Sequence, residues 1–157
     1  MGYPVSIAVL LVVLGLLLLA AGIEDARRRT ISNWTNLAVA VLAPGWWWAL
    51  GYALWPDVGL QLLLATVVFA VFAGAFAIGA MGGGDVKLIA ALALWLPLQP
   101  MVTLLIVMSI AGGAVTVLMM LERRLHGKIG ALEIPYGVAI AFAGLLALRE
   151  PVLNQLA

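Results

Sequence analysis

Val58–Leu96 reads VGLQLLLATVVFAVFAGAFAIGAMGGGDVKLIAALALWL, and this stretch decides the fold. Its first part, Val58–Met81, holds no charged residue and exceeds the roughly 20 apolar residues that a membrane-spanning helix requires. Three glycines and Asp85 interrupt the apolar run before a second apolar segment, Val86–Leu96. The stretch therefore predicts a spanning helix and a shorter apolar helix, separated by a glycine-rich segment that carries an acid.

The composition of the whole chain extends this prediction. Hydrophobic residues make up 66% of the 157 residues and charged residues 10%, whereas soluble domains contain about 45–50% and about 25%. The mean hydropathy is +1.19. Because apolar segments and short turns use nearly every residue, we expect one membrane-embedded domain over residues 1–157 with an all-α, polytopic fold.

Two further features of the composition exclude functions. The chain has no cysteine, which excludes a disulfide framework, a CxxC zinc site and a thiol nucleophile. Its formal net charge is +1, and the basic residues are concentrated in short loops, where they resemble topology signals. We therefore expect a lipid bilayer as the surroundings of the protein and no nucleic acid as a partner.

The apolar segments predict about six transmembrane helices. A Pro44-Gly45 step predicts a kink in the second helix, and the tryptophans near its end suit a membrane interface. The fourth segment has about eleven residues, which is short for a span and leaves a re-entrant helix as an alternative. The predicted helices are Val5–Ile23, Trp34–Trp55, Val58–Met81, Val86–Leu96, Met101–Leu121 and Ile134–Leu148, and the interface tryptophans are Trp46, Trp47, Trp48 and Trp55.

The distribution of basic residues favours six crossings and predicts their orientation. With six crossings, seven of the eight basic residues fall on one side of the membrane, and only Arg149 falls on the other. The positive-inside rule makes the first side cytoplasmic, so both termini are expected outside. The seven residues are Arg27, Arg28, Arg29, Lys87, Arg123, Arg124 and Lys128.

Two aspartates are the candidate catalytic residues. Asp25 ends the first predicted span and Asp85 begins the fourth, so both lie at the predicted cytoplasmic edge. Hydrolysis of a peptide bond by carboxylates requires one of them to take a proton from water while the other, kept protonated, polarises the carbonyl. Closeness and partial burial are expected to raise at least one pKa, so that the pair holds one proton near neutral pH.

Each of these residues also has a structural interpretation. Gly82, Gly83 and Gly84 would let a substrate backbone approach Asp85, but glycines in membrane proteins also form close helix-packing surfaces. Asp85 could cap the fourth helix or pair with Lys87. Asp25 could be neutralised by the arginines that follow it.

Three segments together resemble the type IV prepilin peptidases, a family of GxGD membrane proteases. Gly82-Gly83-Gly84-Asp85, followed by Lys87, resembles the GxGD signature. Asp25, followed by Arg29 and Ile31-Ser32-Asn33, is similar to the first-aspartate segment of the family, although Ser32 stands where the family usually has proline. Ile134-Pro135-Tyr136-Gly137-Val138-Ala139 resembles its last-span motif. The three segments occur in the order of the family.

The resemblance implies an aspartyl endopeptidase of the bacterial inner membrane that removes the short basic leader of type IV prepilins and pseudopilins on the cytoplasmic side. Asp25 and Asp85 would be its catalytic pair, with no metal or organic cofactor, and pilus or secretion machinery would be its partner. The chain lacks the paired CxxC motifs of the larger members that also methylate pilins. It is therefore similar to the peptidase-only form of tight-adherence, or Flp, pilus systems.

Two other classes of function also fit membrane-edge acids. A small transporter or proton-conducting subunit could use such aspartates beside a glycine-broken helix, although it would need a polar path across the membrane. A non-catalytic subunit of a secretion system would tolerate loss of either aspartate. Proteases of the presenilin or signal-peptide-peptidase type share GxGD, but they are longer and carry a different last-span motif.

Overall fold

The computed structural model describes residues 5–126 and 135–156, and all regular elements in these residues are helical. This confirms the all-α class. An irregular turn, Leu54–Val58, precedes the third helix. The six helices of the described residues are α1 (Val5–Arg28), α2 (Asn33–Ala49), α3 (Gly59–Ala77), α4 (Gly83–Leu92), α5 (Leu98–His126) and α6 (Tyr136–Leu156).

Within the described residues, three segments are long and apolar enough to cross a bilayer. They are α1, Leu54–Ala77 and Leu98–Leu125, with mean hydropathies of 2.9, 2.3 and 2.4, and most of their side chains face away from the bundle. The chain is therefore an integral membrane protein. The ten residues of α4 extend only about 15 Å, roughly half the hydrocarbon thickness. The predicted fourth helix exists, but it is too short to span a membrane by itself.

Several helix boundaries differ from those predicted. α1 continues past Ile23 to Arg28, so Asp25 lies inside a helix rather than in a loop. α2 runs through Pro44 but ends at Ala49, well before Trp55. It ends there because Gly51 adopts a φ of +71°, the left-handed conformation that commonly terminates helices.

Close helix contacts hold the bundle together. α1 packs on α6 and α2, and α4 lies among α2, α3 and α6. Because lipid is as apolar as a leucine side chain, such packing depends on van der Waals contact between closely approaching helices. A Cβ added at Gly144 of α6 would lie 2.9 Å from Leu18 of α1, and one added at Gly22 of α1 would lie 3.1 Å from Ala141 of α6. Small residues therefore set the α1–α6 distance.

Tryptophans of α2 satisfy backbone carbonyls that follow α4. The indole N–H of Trp47 donates to Leu94 O at 2.7 Å, and that of Trp46 donates to Trp95 O at 3.2 Å. A helix that ends leaves carbonyls unpaired, which is costly in an apolar setting. Trp46 is buried, so its role differs from the predicted interface position, whereas Trp48 is 83% exposed.

Gln61 of α3 completes the termination of α4. Its side-chain amide donates to the carbonyls of Ala93 and Leu96, both at 2.7 Å. In addition, the indole N–H of Trp95, a residue that follows α4, donates to Val39 O of α2 at 2.8 Å. The end of α4 that lies away from Asp85 is therefore fixed by side chains from two neighbouring helices.

Candidate active site

Asp25 lies near the end of α1 and faces the start of α6. Its side chain is 3% exposed, and its Oδ2 accepts a hydrogen bond from the backbone N–H of Val138 at 3.2 Å. This N–H belongs to the first turn of α6, where backbone donors lack partners within the helix and favour a negative charge. A Cβ on Gly137 would lie 2.8 Å from Asp25 Cγ, so α6 can approach this closely only with glycine there.

Asp85 occupies the third position of α4, three residues after the N-cap Gly82. Its carboxylate folds back over Gly82 and accepts the backbone N–H of that residue, as an acid does at this position of a capping box. The side chain is 7% exposed. Its Oδ1 is buried and has no hydrogen-bond partner within the part of the chain that the structure describes. One oxygen of the acid therefore has an unmet capacity for hydrogen bonding.

The structure brings the two aspartates into electrostatic contact. Asp85 lies outside the three spanning helices, and burial raises its pKa from an ordinary value of 3.8 to about 7. The value of about 7 is the net result of this burial, of the negative charge of Asp25, which also raises the pKa, and of the Gly82 N–H, which lowers it. Near neutral pH, Asp85 therefore carries a proton for a large part of the time.

Ile31 connects the segments that carry the two acids. Arg29, with a φ of 56°, turns the chain back after α1, and Ile31 is then buried. A Cβ on Gly84 would lie 3.2 Å from the backbone N and O of Ile31, and one on Gly137 would lie 2.7 Å from its Cδ1. The first-aspartate segment, the GGGD segment and the start of α6 therefore meet at this one side chain.

Comparison with protein families identifies the family of the chain. A family described as the type IV leader peptidase family matches residues 12–117, about two-thirds of the chain and a range that includes both aspartates. The chain belongs to the type IV leader peptidase family. Comparisons with curated proteins and with solved structures gave no significant match. Family membership makes the protein a membrane protease of the leader-peptidase type.

A polar network that the sequence did not reveal fixes the loop after Asp25 in this leader peptidase. Glu24 Oε2 accepts the Ser32 N–H at 2.9 Å and the Thr35 hydroxyl at 3.2 Å. Ser32 Oγ caps α2 by accepting the Thr35 N–H at 3.1 Å. A proline at position 32 could not donate to Glu24, so the network depends on the serine of this chain. In the sequence, the Ser-x-x-Thr spacing before an apolar helix was the signal that could have indicated this network.

Asn36 supports the GGGD segment of the leader peptidase from α2. Its Nδ2 donates to Gly84 O at 3.1 Å, and the side chain is 5% exposed. Its Oδ1 is buried and, among the described residues, has no hydrogen-bond partner. An asparagine within an apolar helix was the only sequence signal for this role.

Lys87 and the three glycines lie close to other residues of the protein. The Lys87 ammonium donates to Asn33 Oδ1 at 2.8 Å, so its hydrogen bond reaches α2. The Cβ positions of Gly82, Gly83 and Gly84 would meet Asp85, Phe76 and Ile31 respectively, within 2.9–3.3 Å. The glycines therefore permit close packing around Asp85, and their contact with a substrate stays a prediction.

Two predicted features lie partly or wholly outside the residues that the structure describes. Of the last-span motif, Pro135–Ala139 is described, whereas Ile134 lies outside the described residues. Lys128 also lies outside them. In the residues that the structure describes, no three His, Cys, Asp or Glu side chains come together as a metal-binding group.

Proposed function

We propose that this leader peptidase is an aspartyl endopeptidase that removes the short basic leader from type IV, Flp-like prepilins. One observation carries the proposal: Asp25 of α1 and Asp85 of α4 are both buried and interact electrostatically, and Asp85 keeps an unpartnered oxygen. Buried carboxylates that share a proton are suited to hydrolysis by general acid and base. The substrates would be prepilins or pseudopilins delivered to pilus or secretion machinery.

The surroundings of the two acids favour distinct roles. We assign Asp25 the general-base role, in which it takes a proton from the attacking water while the Val138 N–H holds its carboxylate in place. Asp85 holds a proton near pH 7 and hydrogen-bonds the scissile carbonyl oxygen as the water oxygen attacks the carbonyl carbon. Asp25 then gives the proton that it took from water to the leaving nitrogen as the C–N bond breaks, which leaves an acid and an amine.

The membrane would help to select the scissile bond. Asp25 lies near the end of spanning helix α1, beside Arg27 and Arg28, and the positive-inside rule places that end at the cytoplasmic face. A precursor whose basic leader stays at this surface while its apolar helix enters the bilayer would present the intervening peptide bond at the depth of the aspartates. We place the protein in the bacterial inner membrane, with the start of α1 on the outer side.

Cleavage of a co-expressed small prepilin tests the proposal. Asp25→Asn and Asp85→Asn should accumulate like the wild type yet leave the precursor uncut, whereas Asp57→Asn is the matched control. Asp57 lies in the exposed turn before α3 and accepts the N–H of Ala53. Cleavage by either active-site variant at the wild-type rate would rule out the aspartyl mechanism. Failure of the wild type to cut any prepilin would rule out the substrate.

Hydrogen bonding of the polar side chains in the spanning helices gives no support to a transport function. Four hydroxyls of α3 and α5 donate to carbonyls four residues earlier in their own helices: Thr66, Thr103, Ser109 and Thr116. Gln61 is used to terminate α4. These groups therefore serve the local backbone, whereas a transporter needs polar groups that line a path.

A further inference from the structure

Glu24 lies next to Asp25 on α1, but its carboxylate bonds the loop that follows the helix. Its Oε2 accepts the backbone N–H of Ser32 at 2.9 Å and the hydroxyl of Thr35 at 3.2 Å. Both bonds are partly buried, where a hydrogen bond to a charged group is stronger than in water. Glu24 therefore joins the end of α1 to the start of α2.

The bond to Glu24 holds Ser32 in one backbone conformation. Ser32 precedes α2 with a φ of −65° and a ψ of 146°. A proline ring fixes φ at about −65°, whereas serine is free to adopt other values. Here the bond to Glu24 and the cap that Ser32 provides to Thr35 take the place of such a ring. The shape of the loop therefore depends on the acceptor at Glu24.

Ile31, the residue before Ser32, is held in position by this bond. Its side chain is buried, with 6% exposure. A Cβ on Gly84 would lie 3.2 Å from both the backbone N and O of Ile31, and a Cβ on Gly137 would lie 2.7 Å from its Cδ1. Contacts this close leave no free space, so a displacement of Ile31 passes to the segments of both glycines.

Each of these glycines precedes a residue of the candidate site. Asp85 follows Gly84, and Val138, whose N–H donates to Asp25, follows Gly137. The buried isoleucine between the two glycines therefore separates the segments that hold the two carboxylates. Their separation matters for hydrolysis, since a misplacement of about 1 Å can slow a reaction about 100-fold.

We propose that Glu24 is a positioning residue for the two aspartates. It holds Ile31 through the Ser32 N–H, and Ile31 in turn sets the distance between the two carboxylates. Glu24 touches no reacting atom and acts through the loop alone. The inference rests on the proposed function, since it assumes that the two acids act together on a peptide bond.

The kinetics of prepilin cleavage test the proposal. Glu24→Ala removes the acceptor and should lower kcat about tenfold with KM unchanged, because only the alignment of the acids changes. Glu24→Gln keeps an acceptor oxygen for Ser32 and should retain most of the activity. Asp57→Ala is the matched control, because it also removes a carboxylate that accepts a loop N–H, that of Ala53, and it should cleave normally.

A double variant tests the route through the loop. Adding Ser32→Pro to Glu24→Ala supplies a φ of about −65° through a ring and removes the N–H that has lost its acceptor. We expect the double variant to cleave faster than Glu24→Ala, although Ser32→Pro alone should cleave more slowly than the wild type. Losses in the two single variants that add up in the double variant would overturn the proposal.

The pH dependence separates positioning from a loss of folded protein. The charge of Asp25 raises the pKa of Asp85, so a wider separation in Glu24→Ala should move the fall in kcat to lower pH. The helices α2 and α3, which pack on α4, contain no charged residue, whereas Lys87 of α4 bonds α2 and Tyr136 of α6 packs on α5. An unchanged kcat and pH profile in Glu24→Ala, with both aspartate variants inactive, would overturn the inference and leave the peptidase standing.

Ile31→Val makes the same test if Glu24→Ala does not accumulate. It removes the Cδ1 that lies near Gly137 but leaves the bonds of Glu24 intact. We expect a lower kcat and a displaced pH profile. A normal kcat and profile in this variant would refute Ile31 as the residue that sets the distance.

Discussion

The backbone N–H of Val138 donates to the carboxylate of Asp25 at 3.2 Å, although the two residues are separated by 113 positions in sequence. This bond joins the end of α1 to the start of α6. The family match ends at residue 117, before α6 begins. The candidate site of this leader peptidase therefore depends on a helix outside the matched range, and the last-span motif contributes a backbone donor to it.

The closeness of α6 to Asp25 makes Gly137 hard to replace. In Gly137→Ala, the new methyl group would lie 2.7 Å from Ile31 and 2.8 Å from Asp25, so α6 must shift. We expect a loss of about 1–3 kcal/mol in the free energy of unfolding and a strong fall in cleavage. Thermal unfolding in detergent and prepilin cleavage measure the two effects. Gly113→Ala is the control, because its methyl group meets open space; similar behaviour of both variants would contradict the prediction.

The protonation of Asp85 predicts a fall in cleavage above neutral pH. With a pKa of about 7, Asp85 loses its proton as the pH rises through that value and can no longer hydrogen-bond the scissile carbonyl. The rate at saturating prepilin should therefore decline between about pH 7 and 9, within the range in which a raised carboxyl pKa acts. A rate that stays level across this range would show that Asp85 does not act as the acid.

The same group predicts how stability changes with pH. The native carboxyl, with a pKa of about 7, binds more protons than the unfolded one, whose value is 3.8, between these two pH values. The free energy of unfolding therefore falls as the pH rises from about 4 to 7, and this contribution is constant above that range. Asp85→Asn should lessen the fall, whereas Asp57→Asn should retain it. Melting temperatures in detergent at pH 5 and pH 8 give the comparison.

Asn36 is expected to affect activity more than stability. Asn36→Leu removes the donor to Gly84 O but also removes the unpartnered Oδ1, so the two effects on stability oppose each other. We expect nearly unchanged thermal unfolding and a fall in cleavage of about tenfold, because the GGGD segment loses its support. Thr103→Val, whose hydroxyl bonds only its own helix, is the control. Unfolding of Asn36→Leu at a much lower temperature would assign Asn36 a role in stability instead.

Ser32 is expected to stabilise the loop after Asp25. Ser32→Ala keeps the N–H that Glu24 accepts but removes the cap of α2, which should cost about 1 kcal/mol in the free energy of unfolding. Ser32→Pro should cost more, since it also removes the donor to Glu24. Ser109→Ala is the matched control, because that hydroxyl bonds only Leu105 O of its own helix. Denaturant titration in mixed micelles ranks the three variants, and a Ser32→Pro variant as stable as the wild type would refute the network.

Much of the fold could be predicted because it follows from local composition. Long apolar runs predicted six helices. Asp25 and Asp85 were identified as candidates because they end or interrupt these runs, and the fold brings the two acids together. The length of α4 as a helix was not predictable, because the apolar run continues to Leu96 although the helix ends at Leu92. Its end is determined by donors from other helices, and no local pattern records such contacts.

The parts of the site that sequence reasoning missed are those that depend on tertiary hydrogen bonds. Asn36 and Glu24 each act through a partner at a distance in the sequence, Gly84 and Ser32 respectively. Their residue types gave a hint, because polar side chains in apolar segments usually have a partner. The partner of Asn36 is determined by the packing of α2 against α4, and that of Glu24 by the turn between α1 and α2.

Because side chains of other helices hold the far end of α4, the length of this helix determines the position of Asp85. The distance from the carbonyls held by Trp46, Trp47 and Gln61 to the carboxylate of Asp85 is determined by the number of residues between them. One residue inserted within α4 would move Asp85 by about 1.5 Å and rotate it by about 100° around the helix. The residue count of this shortest helix therefore determines both the distance and the angle at which Asp85 lies from the carbonyls that Trp46, Trp47 and Gln61 hold.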